Sequence, residues 1–271
     1  MSELNFLDTG GNKQKITTPV VNSLAFNTAN TERVRIDSSG RVLMGSTDGA
    51  TYSDSSMDDL IIGSTANGKN DGLTILSGTA QNGSIAFADS GGTSRGLVGY
   101  VHNGDYLRFN TAGVERLRIN NYGLVTAPFQ YHLHAQRSND QTGYNAQGDF
   151  GVPMIFNQIV SETKDSSLSS CFNTSTGVFT APVLGLYHFC AATYSSGNSV
   201  FSQSWFTLNG SRAAGTDWHL SSSNYPFVNN NQVIRLAAGN TVGFKPYASG
   251  QSNLTLSANA NHTFFKVTLI G

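Results

Sequence analysis

Strict two-residue alternation is the first pattern this chain offers. From Gly185 onward, Leu186, His188 and Cys190 fall on one side, and Tyr187, Phe189 and Ala191 on the other, the mark of a strand with one buried face. Before it, Asn173 to Gly177 gathers Asn, Ser, Thr and Gly into a turn, and Ala181-Pro182 marks a strand edge. Tyr131, Leu133 and Ala135 alternate in the same way with His132 and His134; the first set is expected in a core. No window places apolar residues at helical spacing without Gly or Pro breakers, so the chain is expected to be all-β.

A second pattern is a repeat. Leu24 to Val42 (LAFNTANTERVRIDSSGRV) aligns without a gap onto Leu107 to Val125 (LRFNTAGVERLRINNYGLV), an offset of 107 − 24 = 83. Phe26, Arg33 and Ile36 recur as Phe109, Arg116 and Ile119. Each copy reads as a pair of short strands around a turn, Ser38 to Gly40 or Asn121 to Gly123. Val34 and Ile36 share a face, as do Leu117 and Ile119, with Arg33 and Arg35, or Arg116 and Arg118, on the other. Such a unit has one narrow apolar face and cannot bury it unaided. Three divisions follow: an arm over 1–23, a repeat-containing β segment over 24–128, and a C-terminal domain over 129–271.

Composition sharpens this. Of 271 residues, 38% are hydrophobic and 12% charged, with 29 glycines. So polar a chain is expected to share its core with copies of itself. The formal net charge of −1 gives no footprint for nucleic acid or an anionic membrane. No apolar run is long enough to span a bilayer, and no basic, then apolar, start suggests a leader. Two cysteines, Cys171 and Cys190, are read as buried thiols or as one bridge.

Several constellations suggest chemistry. His132 and His134 put two imidazoles on one strand face, where symmetry-related copies could gather them around a metal; the competing reading is a hydrogen-bonded or solvated pair. Gly92-Thr93-Ser94-Arg95-Gly96 matches the hydrolase nucleophile elbow but lacks the helix that motif needs. Asp48, Asp54, Asp58 and Asp59 read as a solvated loop, with neither the ligand spacing of a calcium loop nor an evident carboxylate pair for glycan cleavage. No catalytic residue and no cofactor is assigned; a structural metal ion stays open. For recognition, Trp218, His219, Tyr225 and Tyr247 lie in polar loops and are the candidate contacts for a host-surface glycan or protein. For Trp218, packing against a neighbouring copy is an equal alternative, and Trp205 is expected to pack that way.

The C-terminal half resembles the globular head of complement C1q, a jelly roll related to the tumour necrosis factor fold. That signature is an aromatic, six residues, Phe, five residues, then Gly-any-Tyr-any-Phe-any-aromatic. Phe172, Phe179, Gly185, Tyr187 and Phe189 fall in register. Ala191 replaces the last aromatic, and Ser167 replaces an upstream Asn or Asp. FTLNG at 206–210, VIRLAAGNTV at 233–242 and the closing FFKVTLI continue the likeness. Residues 24–128 resemble the shaft segments of bacteriophage tail fibres. Both resemblances imply a homotrimer. Together they imply a virion protein assembled in the host cytoplasm, attached to a tail or capsid through its N-terminal arm and carrying a receptor-binding head. The alternative they leave is a capsid decoration, head fibre or cement protein.

Overall fold

The computed structural model describes residues 3–7, 13–46, 59–64, 70–147, 152–164, 169–195, 203–213, 217–218, 227–259 and 261–271. Among these the chain is all-β, with no helix. It falls into two compact units, Met1–Gly83 and Ser84–Gly271.

The first unit holds a six-stranded sheet. Its strands are β1 (Glu3–Leu7), β2 (Lys13–Thr17), β3 (Leu24–Thr28), β4 (Thr31–Ile36), β5 (Val42–Met44) and β6 (Leu60–Ile62), paired in chain order. The segment read as an arm thus contributes β1 and β2. Only the β5–β6 pairing is parallel. Register lines up Leu4, Ile16, Phe26, Val34, Met44 and Ile62 as one apolar row across all six strands. A shorter row, Leu24, Ile36, Val42 and Leu60, runs beside it. Among the described residues of this unit no second sheet faces these rows, and Leu4, Phe26, Ile36, Met44, Leu60 and Ile62 are exposed.

A five-stranded sheet follows: β7 (Asn82–Asp89), β8 (Gly92–Val101), β9 (Tyr106–Thr111), β10 (Val114–Ile119) and β11 (Val125–Thr126), again a meander. Ser94 of the GxSxG match lies inside β8. Val125, Ile119, Leu107 and Tyr100 form one row, with Leu117, Phe109 and Val98 beside it. Ile85, Phe87, Tyr100, Phe109 and Val125 are exposed.

The sequence repeat is a repeat of geometry. Leu24 pairs with Ile36 and Phe26 with Val34; Leu107 pairs with Ile119 and Phe109 with Leu117. Both hairpins turn through two left-handed residues, Ala29 and Asn30 or Ala112 and Gly113, as a two-residue loop requires. Asp37 Oδ1 accepts the N–H groups of Ser39 and Arg41, and Asn120 Oδ1 those of Tyr122 and Leu124. The expected plain alternation of the arginines does not hold, because the register shifts by one residue at Arg33 and again at Arg116. These are β-bulges. Arg33 donates to Thr28 Oγ1, and Arg116 lies over the Phe129 ring at 4.5 Å.

The head is a sandwich. Its strands are β12 (His132–Gln136), β13 (Gln141–Tyr144), β14 (Gln158–Thr163), β15 (Phe172–Asn173), β16 (Val178–Thr180), β17 (Gly185–Tyr194), β18 (Gln203–Leu208), β19 (Ser211–Arg212), β20 (Asp217–Trp218), β21 (Phe227–Leu236), β22 (Thr241–Tyr247), β23 (Leu254–Leu256) and β24 (Phe264–Leu269). One sheet runs β14-β12-β24-β17-β21; the facing sheet runs β15-β16-β22-β18-β19, with β20 also on β18. The chain crosses between these sheets from β16 to β17, to β18 with its partners β19 and β20, to β21, to β22 and, after β23 pairs with β13, to β24, the jelly-roll arrangement.

The inward residues form one apolar core. Tyr131, Leu133 and Ala135, and Tyr187, Phe189 and Ala191, are buried in it as their alternation predicts. Phe189 is central: its ring lies 5.7 Å from Phe179, 5.4 Å from Phe206 and 6.0 Å from Phe265. Such aromatic pairs add about 0.5–1.5 kcal/mol each beyond area burial. Ala191, where the signature has a ring, faces Phe265 across the ladder, and Phe265 packs on Phe156, Phe172 and Phe206. Gly185 is needed for close approach: a Cβ there would stand 2.5 Å from Leu269 Cδ1 and 2.8 Å from the Gly271 carbonyl oxygen. Tyr187 OH donates to the Val183 carbonyl at 2.8 Å. Ser167 lies outside the described residues.

Candidate functional site

The outer face of the β14–β21 sheet carries the paired histidines. Register sets His132, Thr268 and His188 in one row and His134, Lys266 and Cys190 in the next. His132 Nδ1 meets Thr268 Oγ1 at 3.3 Å, while His134 Nε2 is buried and without a hydrogen-bond partner. Burial, then Lys266, then His132 lower the pKa of His134. A lysine in register with an imidazole opposes a metal cation there. Among the described residues no three His, Cys, Asp or Glu side chains gather as a metal site. Cys171 and Cys190 are both free and half-buried, and burial raises both thiol pKa values. Of the acidic group only Asp59 is described.

The candidate contact residues divide. His219 and Tyr225 lie outside the described residues. Position 218 in β20 and position 247 in β22 both pair with Gln203 of β18, so Trp218 and Tyr247 share one register row. Tyr247 stacks on Trp205 at 5.5 Å, and the Arg212 guanidinium lies 4.4 Å over the Trp205 ring. Trp205, expected to meet a neighbouring copy, is instead wholly buried within its own chain. An outward strand position is covered here by the chain's own Arg212 and Tyr247, which alternation alone cannot reveal.

A different feature stands out at one end of the sandwich. Tyr194 closes β17 and pairs with Phe227, which opens β21. The turn before β24 brings in two further residues. Asn259 accepts backbone N–H groups of His262 and Thr263 on its carbonyl at 2.9 and 2.8 Å, and that of Asn261 on Oδ1 at 3.0 Å. Its own N–H donates to Ser257 Oγ, while the Ser257 N–H donates to the Tyr194 carbonyl. The turn is thereby tied to the strand end. His262 stands edge-on to both rings, 5.5 Å from Tyr194 at 89° and 6.3 Å from Phe227 at 80°. Tyr194, Phe227, Asn259 and His262 line an open cleft of about 380 Å³. The chain enters the head at the opposite end, where the row of His132, Thr268 and His188 lies; Tyr194 is six residue steps along β17 from His188, about 20 Å at strand rise.

Sequence reading groups Phe227 with the aromatics of the polar stretch 213–231 but singles out neither Asn259 nor His262. Their convergence depends on the β17–β21 pairing and the turn before β24, neither of which has a local sequence signal.

The strand order defines the class of the head: an antiparallel jelly-roll sandwich. The sequence matches no family model and no curated protein. Among solved structures, the chain is similar to the globular domain of zebrafish complement 1qA protein, at 21% identity and a TM-score of 0.38, over 52% of this chain and 98% of that one. It is similar also to murine APRIL (13% identity, TM-score 0.37, 52% of this chain and 99% of that one) and to Eiger TNF from S. frugiperda (13%, 0.37, 53% and 92%).

Proposed function

We propose that this chain is the protomer of a homotrimeric virion fibre of a bacterial virus, whose head attaches the particle to the host surface. One observation supports the self-assembly: an apolar row crosses six strands, and among the described residues Leu4, Phe26, Met44 and Ile62 of it are exposed. A single-layer sheet with a continuous apolar face is unstable in water, and further copies of the same chain are the natural cover. The sheet of β7 to β11 has the same need. In this reading residues 24–128 form a shaft with two other copies, the head offers its outer end to the host, and threefold presentation turns weak single contacts into avidity. The work is adhesive and mechanical rather than catalytic.

The test has two arms. The molar mass of the full chain in solution is expected to be three times 28.9 kDa; a folded monomer overturns the proposal. Antibody against the head is expected to label the tail of the particle. Labelling of capsid vertices or faces would replace tail attachment with the decoration, head-fibre or cement reading.

A further inference from the structure

We infer that the cleft of Tyr194, Phe227, Asn259 and His262 is a subsite for one pyranose residue of an uncharged glycan. This deepens the attachment reading and rests on it for its biological meaning.

The chemistry of the lining argues for that class. A volume of about 380 Å³ lies in the lower range for small-ligand sites, about 300–1,000 Å³. Phe227 is 40% exposed and offers an aromatic face without a competing polar group. A pyranose has an apolar C–H face that packs on such a ring and a rim of hydroxyls that must be met by groups able both to donate and to accept. Asn259 and His262 are of that kind. Asn259 spends Oδ1 on the Asn261 N–H, while its Nδ2 and the ring nitrogens of His262 make no hydrogen bond among the described residues. The imidazole is held edge-on between Tyr194 and Phe227, so its orientation is set before a ligand arrives.

Charge selects within the sugars. No lysine, arginine, aspartate or glutamate lines the cleft among the described residues. A uronic or sialic acid would bring a carboxylate with no cation to meet it. A neutral hexose or N-acetylhexosamine brings none.

The experiment uses the full-length protein and ligand-observed saturation-transfer NMR with methyl glycosides of glucose, galactose, mannose and N-acetylglucosamine, and with glucuronic acid as the charged probe. At least one neutral glycoside should show transfer, strongest at its axial C–H protons. The signal should fall at least fivefold in Phe227→Ala and in His262→Ala, with near-ultraviolet circular dichroism unchanged. Absence of transfer from all four, equal transfer in both folded variants, or stronger transfer from glucuronic acid would overturn the inference. Adhesion of the same protein to bacteria that support the particle separates the two levels. Adhesion that survives in both variants removes the subsite and leaves attachment standing; no adhesion by the wild-type chain removes attachment itself.

Discussion

Arg35 grips Glu32 with two hydrogen bonds, 2.7 Å from Nε to Oε1 and 2.8 Å from Nη2 to Oε2. Residues three apart on an unbroken strand point to opposite faces, so this fork exists because Arg33 bulges out of the ladder between them. Glu115 and Arg118 repeat it at 2.7 and 2.9 Å around the bulge at Arg116. The Glu32 bond is the main reason that the Arg35 pKa is raised, and Glu115 acts likewise on Arg118.

Deleting Arg116 should therefore be tolerated. Glu115 and Leu117 already oppose the consecutive residues Asn110 and Phe109, so the deletion closes the bulge into a regular ladder and leaves Glu115 and Arg118 two apart on one face. Hydrogen exchange over β9 and β10 should change by less than about threefold. Arg116→Ala, which keeps the extra residue and loses the stacking on Phe129, should change exchange little. A tenfold faster exchange in the deletion would refute this reading of the bulge.

Lys245 lies opposite Trp205 on the neighbouring strand, and both are wholly buried. Its ammonium donates to the Asn145 carbonyl at 3.4 Å and sits 5.6 Å from the Tyr144 ring, with no carboxylate paired to it among the described residues. Burial lowers its pKa. With the folded value below the unfolded one, stability rises with pH between the lowered pKa and the ordinary 10.5. Lys245→Met should raise stability at pH 7 by about 1 kcal/mol or more, and the gain should shrink as pH approaches 10.5. Denaturant titrations at several pH values check this. A variant less stable at pH 7 would show that the ammonium contributes more than its burial costs.

His134 gives a pH effect in the acid range. Its folded pKa is lowered from 6.5 by burial, Lys266 and His132, so the unfolded chain takes up the proton first. Stability should fall as pH drops below about 6.5 and level off below the lowered folded value. His134→Gln should show a smaller fall between pH 7.5 and 5 in thermal melts. Identical pH slopes would remove His134 as a contributor.

The open sheets make the fourth prediction. Ile85, 47% exposed, belongs to the β7–β11 sheet and touches none of the head core. Ile85→Asp should lower the mass of the assembly, or weaken it at least tenfold in concentration dependence, while head aromatic signals persist. Light scattering with near-ultraviolet dichroism separates the two. An unchanged trimer would mean that this face is not the one covered.

Much of the head was legible beforehand, because local alternation fixes which way a strand's side chains point: Leu133, Ala135, Tyr187 and Phe189 all went inward as read. The repeat was legible from its recurring residues, with its turns at Ser38 to Gly40 and Asn121 to Gly123; the tighter turns at Ala29-Asn30 and Ala112-Gly113, and so a third strand in each copy, were not. The bulges at Arg33 and Arg116 were not. An extra residue leaves the composition unchanged and is defined only by the partner strand. The burial of Trp205 depends on Arg212 and Tyr247, and the cleft depends on residues 194, 227, 259 and 262 meeting through a sheet and a turn. Contacts between distant segments carry no periodic trace, so these were beyond reach.

The position of β24 between β12 and β17 has a consequence for biosynthesis. Two central strands, β12 and β17, must wait with open edges until β24 has left the ribosome tunnel. Until then each nascent head presents unpaired backbone to its neighbours on the same message. Chaperone demand, and the yield of soluble product, should thus be governed by when β24 emerges.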